Sequence, residues 1–284
     1  MKKRYNKPIF AEEVKLLKAK NMMLKIGVVL LFSIFIWRLI LYFNNMFSGD
    51  EYNSTIHFFT GLAITILSFI LVNTTRRTNR ISWRQIGMSD LRTNVISFFV
   101  GTILWFIPAM IGLVIALLVG WAEITVTANL NQLLLSTLIL YITVFLIEAF
   151  PEELIMRGYI YSHVNAMFPH LKTVIIQTLI FSLFAYFVEA IYSLEQLLFI
   201  PGYGFMLGYI RAKSGNVWTS IGFHTVIMTA SQIINPMHGH FDVNGIFAIR
   251  FFAFNLLPYI LGTIALEFIY PKHKWSEIVP INNS

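Results

Sequence analysis

The run Glu152-Glu153-Leu154-Ile155-Met156-Arg157 sets two adjacent carboxylates and a guanidinium among residues that are otherwise almost all apolar. An ionised side chain at the centre of a bilayer costs about 2.5–3.5 kcal/mol on insertion scales, so three within two helical turns require compensation. On a helix Glu148 and Glu152 are i,i+4 neighbours, and so are Glu153 and Arg157. Glu153 can therefore pair with Arg157, while Glu152 points about 100° away. A carboxylate beside an arginine and one buried without a cation differ in their readiness to take a proton. Two adjacent glutamates can thus divide the roles of structural anion and general base. A buried ion network would account for the same residues without chemistry, and a membrane-embedded hydrolytic site would account for them with it.

Other chemistry-bearing residues lie at some distance along the chain. Pro151, inside the same segment, frees the carbonyl of Ile147 and predicts a kink; backbone groups freed at membrane depth need protein or water as partners. His224 stands about eight residues inside the basic Arg211–Lys213 loop, roughly 12 Å deep at helical rise, a depth comparable with the glutamate pair. Glu189 is a further carboxylate in an apolar segment, and Glu267 lies near the end of the last one, at an interfacial position. His238, His240 and Asp242 alternate as potential metal ligands, although flexible exposed histidines are the simpler reading.

The elements that must position these groups are membrane helices. Of the 284 residues, 57% are hydrophobic and 12% charged, against about 25% charged in soluble domains; the mean hydropathy is +0.69. The fold class is therefore all-α, a polytopic membrane bundle. Eight apolar segments fall at Leu24–Phe43, Thr55–Asn73, Val95–Gly120, Leu133–Tyr159, Thr173–Ser193, Leu197–Ile210, Val217–Ile234 and Ile246–Tyr270. A crossing needs about 20 residues, so the sixth must be tilted, extended by its flanks or re-entrant. Residues 1–22 read as a basic tail, with Val14, Leu16 and Leu17 among lysines marking a short helix on an anionic leaflet. Residues 23–271 read as the bundle and 272–284 as a second tail. The first twenty residues lack the small-residue cleavage site of a signal peptide. With no Cys, disulfides, thiolate catalysis and Cys-ligated metal are excluded. Gly204 and Gly208 have the spacing that lets two helices approach closely.

The net charge of +7 does not mark a nucleic-acid partner, because the cations sit in short loops between apolar segments. Arg76, Arg77, Arg80, Arg84 and Arg92 follow the second segment, Lys172 the fourth, Arg211 and Lys213 the sixth, and Lys272 and Lys274 the eighth. Loops Asn44–Ser54, Trp121–Gln132 and Asn235–Gly245 contain no Lys or Arg. This alternation predicts eight crossings in a plasma membrane with both termini cytoplasmic. Arg38 must snorkel or face the bundle interior, and Arg250 is awkwardly placed near an outer end.

Glu152-Glu153-x-x-x-Arg157-Gly158, followed by the run Gly208 to His224 with its basic loop and Trp218, resembles the first and third motifs of the CPBP family of intramembrane proteases, also called the Abi or CAAX-protease family. The resemblance covers roughly residues 133–232. It implies a bundle around a polar cavity open to the cytoplasm, a prokaryotic source, and a site in which Glu152 activates water, Glu153 and Arg157 support it and His224 contributes an imidazole. Two positions depart from the pattern. The second motif, Phe-x-x-x-His, has Ala185 in place of its histidine, and the third, His-x-x-x-Asn, has Met228 in place of its asparagine. A zinc site needs three or four protein ligands. Toward a divalent metal such as zinc, Glu152 and His224 supply two, with Glu148 and Glu189 as auxiliary carboxylates.

The resemblance implies an endopeptidase that cuts a membrane-anchored or hydrophobic peptide near the cytoplasmic face, with membrane lipid as its other partner. The two missing groups favour an alternative, a non-catalytic relative that positions a partner protein or confers immunity to a bacteriocin-type peptide. A transporter would run its path past Glu148, Glu152 and Glu189, but no inverted repeat or paired broken segment is evident.

Overall fold

The structure is a computed structural model that describes residues 7–48 and 54–281. Helix α1 spans Lys7–Ser48, α2 Ser54–Thr78 and α3 Leu91–Leu118. After strand β1, Glu123–Val126, helix α4 runs through Leu130–Asn165. Then come α5 (His170–Phe187), α6 (Leu194–Ser214) and α7 (Val217–Ile233), strand β2 (Phe241–Asn244) and α8 (Ile246–Ile269). The protein is an all-α polytopic bundle. Its outer surface carries Leu31, Phe32, Phe35, Phe99, Ile103 and Leu179 in the open. So large an apolar surface is a membrane-facing one.

Among the described residues, six helices are long and apolar enough to cross a membrane, namely all but α6 and α7. Helix α7 falls short in length, and α6 carries Glu195, Gln196, Arg211 and Lys213. Helix α6 extends the short sixth segment at both ends to 21 residues, about 30 Å, and α7 has 17, about 25 Å. Helix α1 runs unbroken from Lys7, so the basic segment from that residue on and the first crossing share one helix. Residues 1–6, part of the predicted tail, lie outside the described residues, as do 49–53 of the first basic-free loop.

The loops segregate by charge. At one end, Val217 N donates to Gly87 O (2.8 Å), Ser162 Oγ to Gln85 O (2.9 Å) and Val279 N to Asn165 O (3.3 Å). These bonds gather the Arg-rich 79–90 loop, the end of α4, the start of α7 and the tail after α8. At the other end, β1 and β2 pair antiparallel, from Glu123 with Asn244 to Val126 with Phe241. That ribbon joins two of the loops that lack Lys and Arg. Asp90 caps α3 by accepting from Thr93 N (3.1 Å) and Thr93 Oγ1 (2.7 Å), and these bonds hold its carboxyl below the usual range.

Close backbone approach sets the centre of the bundle. A Cβ on Gly101 would overlap the Thr219 carbonyl, and one on Gly222 the Phe98 carbonyl, so α3 and α7 touch main chain to main chain. Trp105 Nε1 donates to Phe254 O (2.9 Å) and fixes α3 to α8. Gly204 and Gly208 face α5, where a Cβ would lie 2.7 Å from Phe181 Cδ1 and 3.0 Å from Gln177 Oε1.

The predicted fifth segment reaches Ser193, but α5 stops at Phe187. Glu189 lies beyond it with φ of 61°, and its side chain is 74% exposed and ion-paired with half-exposed Arg38. Arg38 thus finds a partner at the bundle surface, and Arg250 pairs with Glu195 (3.4 Å).

Candidate active site

Helix α4 changes its winding where the chemistry sits. Its α-helical start, Leu130–Val144, gives way to a π-helical turn at Phe145–Ala149, an α turn at Phe150–Glu153 and a second π stretch at Leu154–Ile160. Phe150 N reaches back five residues to Phe145 O. The break predicted from Pro151 is taken up as this wider winding. Such π turns in α-helices recur at functional sites.

The second π stretch and the α turn before it bring three predicted residues together. Glu153 Oε1 accepts from Arg157 Nη1 (2.9 Å) and from His224 Nδ1 (3.0 Å), with Glu153 and Arg157 fully buried and His224 nearly so. Arg157 Nη2 donates to Gly204 O on α6 (3.0 Å), and its guanidinium lies over the Phe181 ring at 4.4 Å. A buried cation and anion are tolerable when each is paired and hydrogen-bonded, and this cluster meets that condition across α4, α6 and α7.

Contact with a carboxylate sets the histidine's orientation. Glu153, already accepting from arginine, can only accept again, so His224 Nδ1 carries the proton. Nε2 has no hydrogen-bond partner among the described residues; it donates when it carries a proton and accepts when it does not.

Glu152 differs from its neighbour. It is part-buried and has no hydrogen-bond or ion-pair partner among the described residues, while Glu148, Glu153 and Arg157 are all within electrostatic reach. Glu148 accepts from Gln232 Nε2 (2.8 Å). Glu189 does not join the cluster, because its exposed turn and its bond to Arg38 hold it at the surface.

Three participants have no place in the sequence expectations. Tyr203 sets its ring edge-on to His224, centroids 5.0 Å apart, and its hydroxyl is buried without a partner. Gln177 is buried and donates weakly to Gly204 O (3.5 Å). Gln232 supplies an amide one turn beyond Met228, directed to Glu148. Glutamines in apolar segments were a usable signal, since uncompensated polar groups there are costly. Tyr203 offered none, because tyrosine is ordinary in such helices. Ala185, where the second-motif histidine would stand, is buried in α5.

The donor set does not fit a zinc ion. Among the described residues no three His, Asp or Glu side chains gather to hold a metal, and the His238–His240–Asp242 loop forms no such group. His224 Nδ1 is committed to Glu153, Glu153 to Arg157, and Glu148 to Gln232.

Fold and site together define a polytopic membrane protein with an acid–imidazole pair held inside its helices. Residues 134–230 match the family model described as type II CAAX prenyl endopeptidase Rce1-like, so this stretch of the chain is similar to that family. It spans both the glutamate pair and His224. No curated protein and no solved structure matches the chain.

Proposed function

We propose that the protein is an intramembrane endopeptidase that hydrolyses a peptide bond of a membrane-anchored or hydrophobic substrate near the end of the bundle carrying the basic loops. The observation that carries the reading is the bond between His224 and Glu153, residues 71 apart in the chain, beside a Glu152 that has no partner.

Glu152 takes a proton from water as the water oxygen bonds to the scissile carbonyl carbon, a role worth about 10²–10⁴ in rate. The oxyanion that forms is stabilised by the Tyr203 hydroxyl, which is buried without a partner on a ring set edge-on to His224, and by His224 Nε2 when it carries a proton. The protonated Glu152 then gives its proton to the leaving nitrogen as the C–N bond breaks, releasing an amine and a carboxylic acid that loses its proton to solvent. Glu153 and Arg157 position His224 and take no proton. Both termini on the cytoplasmic side of a plasma membrane complete the reading, which the Lys/Arg distribution supports.

Purified protein is to be assayed on hydrophobic peptides and on membrane-anchored substrates. Glu152→Gln is expected to abolish turnover while leaving folding intact, and equal turnover by the two proteins would refute the assignment. Ala185 and Met228 favour a second reading, a relative that binds a partner without cleaving it. That reading requires a cellular phenotype that survives Glu152→Gln at normal abundance.

A further inference from the structure

A cavity of about 750 Å³ opens at the basic-loop end among the 79–90 loop, the start of α5, the last turn of α6 and the tail after α8. None of Glu152, Glu153, His224 or Tyr203 lines it. Its base is Arg211, which is 7% exposed. Arg211 Nε donates to Arg157 O (3.0 Å), its guanidinium lies over the Tyr161 ring at 5.1 Å, and the Gly87 backbone approaches it so closely that a Cβ there would sit 2.7 Å from the guanidinium carbon. The group is thus held in one orientation. Its two Nη groups have no hydrogen-bond or ion-pair partner among the described residues, and the side chain lines the cavity.

The remaining lining is short of anions. Lys213 is neutralised by Glu267 at 2.7 Å. That leaves Arg84, Arg211 and Lys272 facing Glu277 alone. His273 Nε2 is buried there without a partner. Helix α5, 18 residues long, begins at His170 on the wall without a side-chain N-cap. A fixed guanidinium with both Nη groups free suits a phosphate oxyanion, which takes paired donors from one arginine, and a helix N-terminus adds further donors.

We propose that this cavity binds a phosphate group, presented either by an anionic lipid headgroup or by a soluble phosphorylated compound. It is a site separate from the glutamate–histidine cluster and stands whether or not that cluster cleaves peptides.

The test uses the full chain in maltoside micelles, which contain no phosphate. Inorganic phosphate and short-chain phosphatidylglycerol are titrated separately, with binding read by calorimetry and by thermal stability. Binding of at least one probe is expected, weakened tenfold or more by Arg211→Gln and by Lys272→Gln and unchanged within twofold by Arg92→Gln. Lys272 is exposed on the tail, so its variant reports even where Arg211→Gln fails to fold. Binding of phosphatidylglycerol alone assigns the headgroup as the source, and binding of phosphate assigns a soluble ligand; both support the site. Binding of neither probe, or equal weakening by Arg92→Gln, would overturn it.

Discussion

Glu153 accepts two hydrogen bonds on one oxygen, while its second oxygen is buried without a partner. Removing one member of a buried charged pair leaves the other uncompensated, at a cost of about 3–5 kcal/mol. Glu153→Gln should therefore lower the detergent unfolding temperature markedly, whereas Glu152→Gln, which breaks no bond, should leave it nearly unchanged. Tyr203→Phe separates chemistry from folding: the phenyl ring keeps its place against His224, and turnover should fall by about 10²–10³, the usual loss on deleting one oxyanion donor. Measured kcat with unchanged unfolding temperature checks it. At this scale the sequence was informative where charge met apolar surroundings. The Glu153–Arg157 pair followed from spacing alone, and the family pattern pointed to His224. Which glutamate holds the histidine was not legible, because that depends on how α4 winds and how α7 meets it. Glu189 misled because hydropathy could not see the helix end at Phe187.

Helices α3 and α7 meet at Gly101 and Gly222 so closely that no side chain fits. Overpacking such a contact costs about 1–3 kcal/mol, and backbone carbonyls cannot move aside as a side-chain tip can. Gly222→Ala should thus destabilise the fold and, because His224 sits two residues on, also displace the imidazole from Glu153. Denaturant unfolding measures the first effect and residual turnover the second. The existence of all eight helical segments was legible, since long apolar runs announce themselves. The π turns of α4 were not. Pro151 marked the place, but whether a freed backbone kinks or widens is decided by packing around it. Gly204 and Gly208 were visible from their spacing, whereas Gly101 and Gly222 lie on different helices and share no local pattern.

For the molecule as a whole, the pairing of β1 with β2 at one end and the clustered Arg- and Lys-bearing loops at the other agree with the alternation of charge along the chain. The native sequence contains no Cys, so single-Cys variants can be labelled without background. In intact cells a membrane-impermeant thiol reagent should modify Cys placed at Thr127 or Gly239 and spare Cys placed at Arg80 or Arg92. The reverse pattern would invert the orientation. Positive charge made this arrangement readable before any coordinates, while the ribbon between two distant loops was not, being only four residues a side with no hairpin to advertise it.

Two bonds cross between α4 and α6 in opposite senses: Arg157 reaches to the Gly204 carbonyl, and Arg211 reaches back to the Arg157 carbonyl. Their anchor points on α6 are seven residues apart, about 10 Å along the axis. Rivets at two such points forbid sliding and twisting alike, so these helices travel as one plate. Under the proposed peptidase reading a substrate must then enter by other walls giving way, and any pull on the Arg211 guanidinium is passed straight to the strand of atoms that carries Glu153.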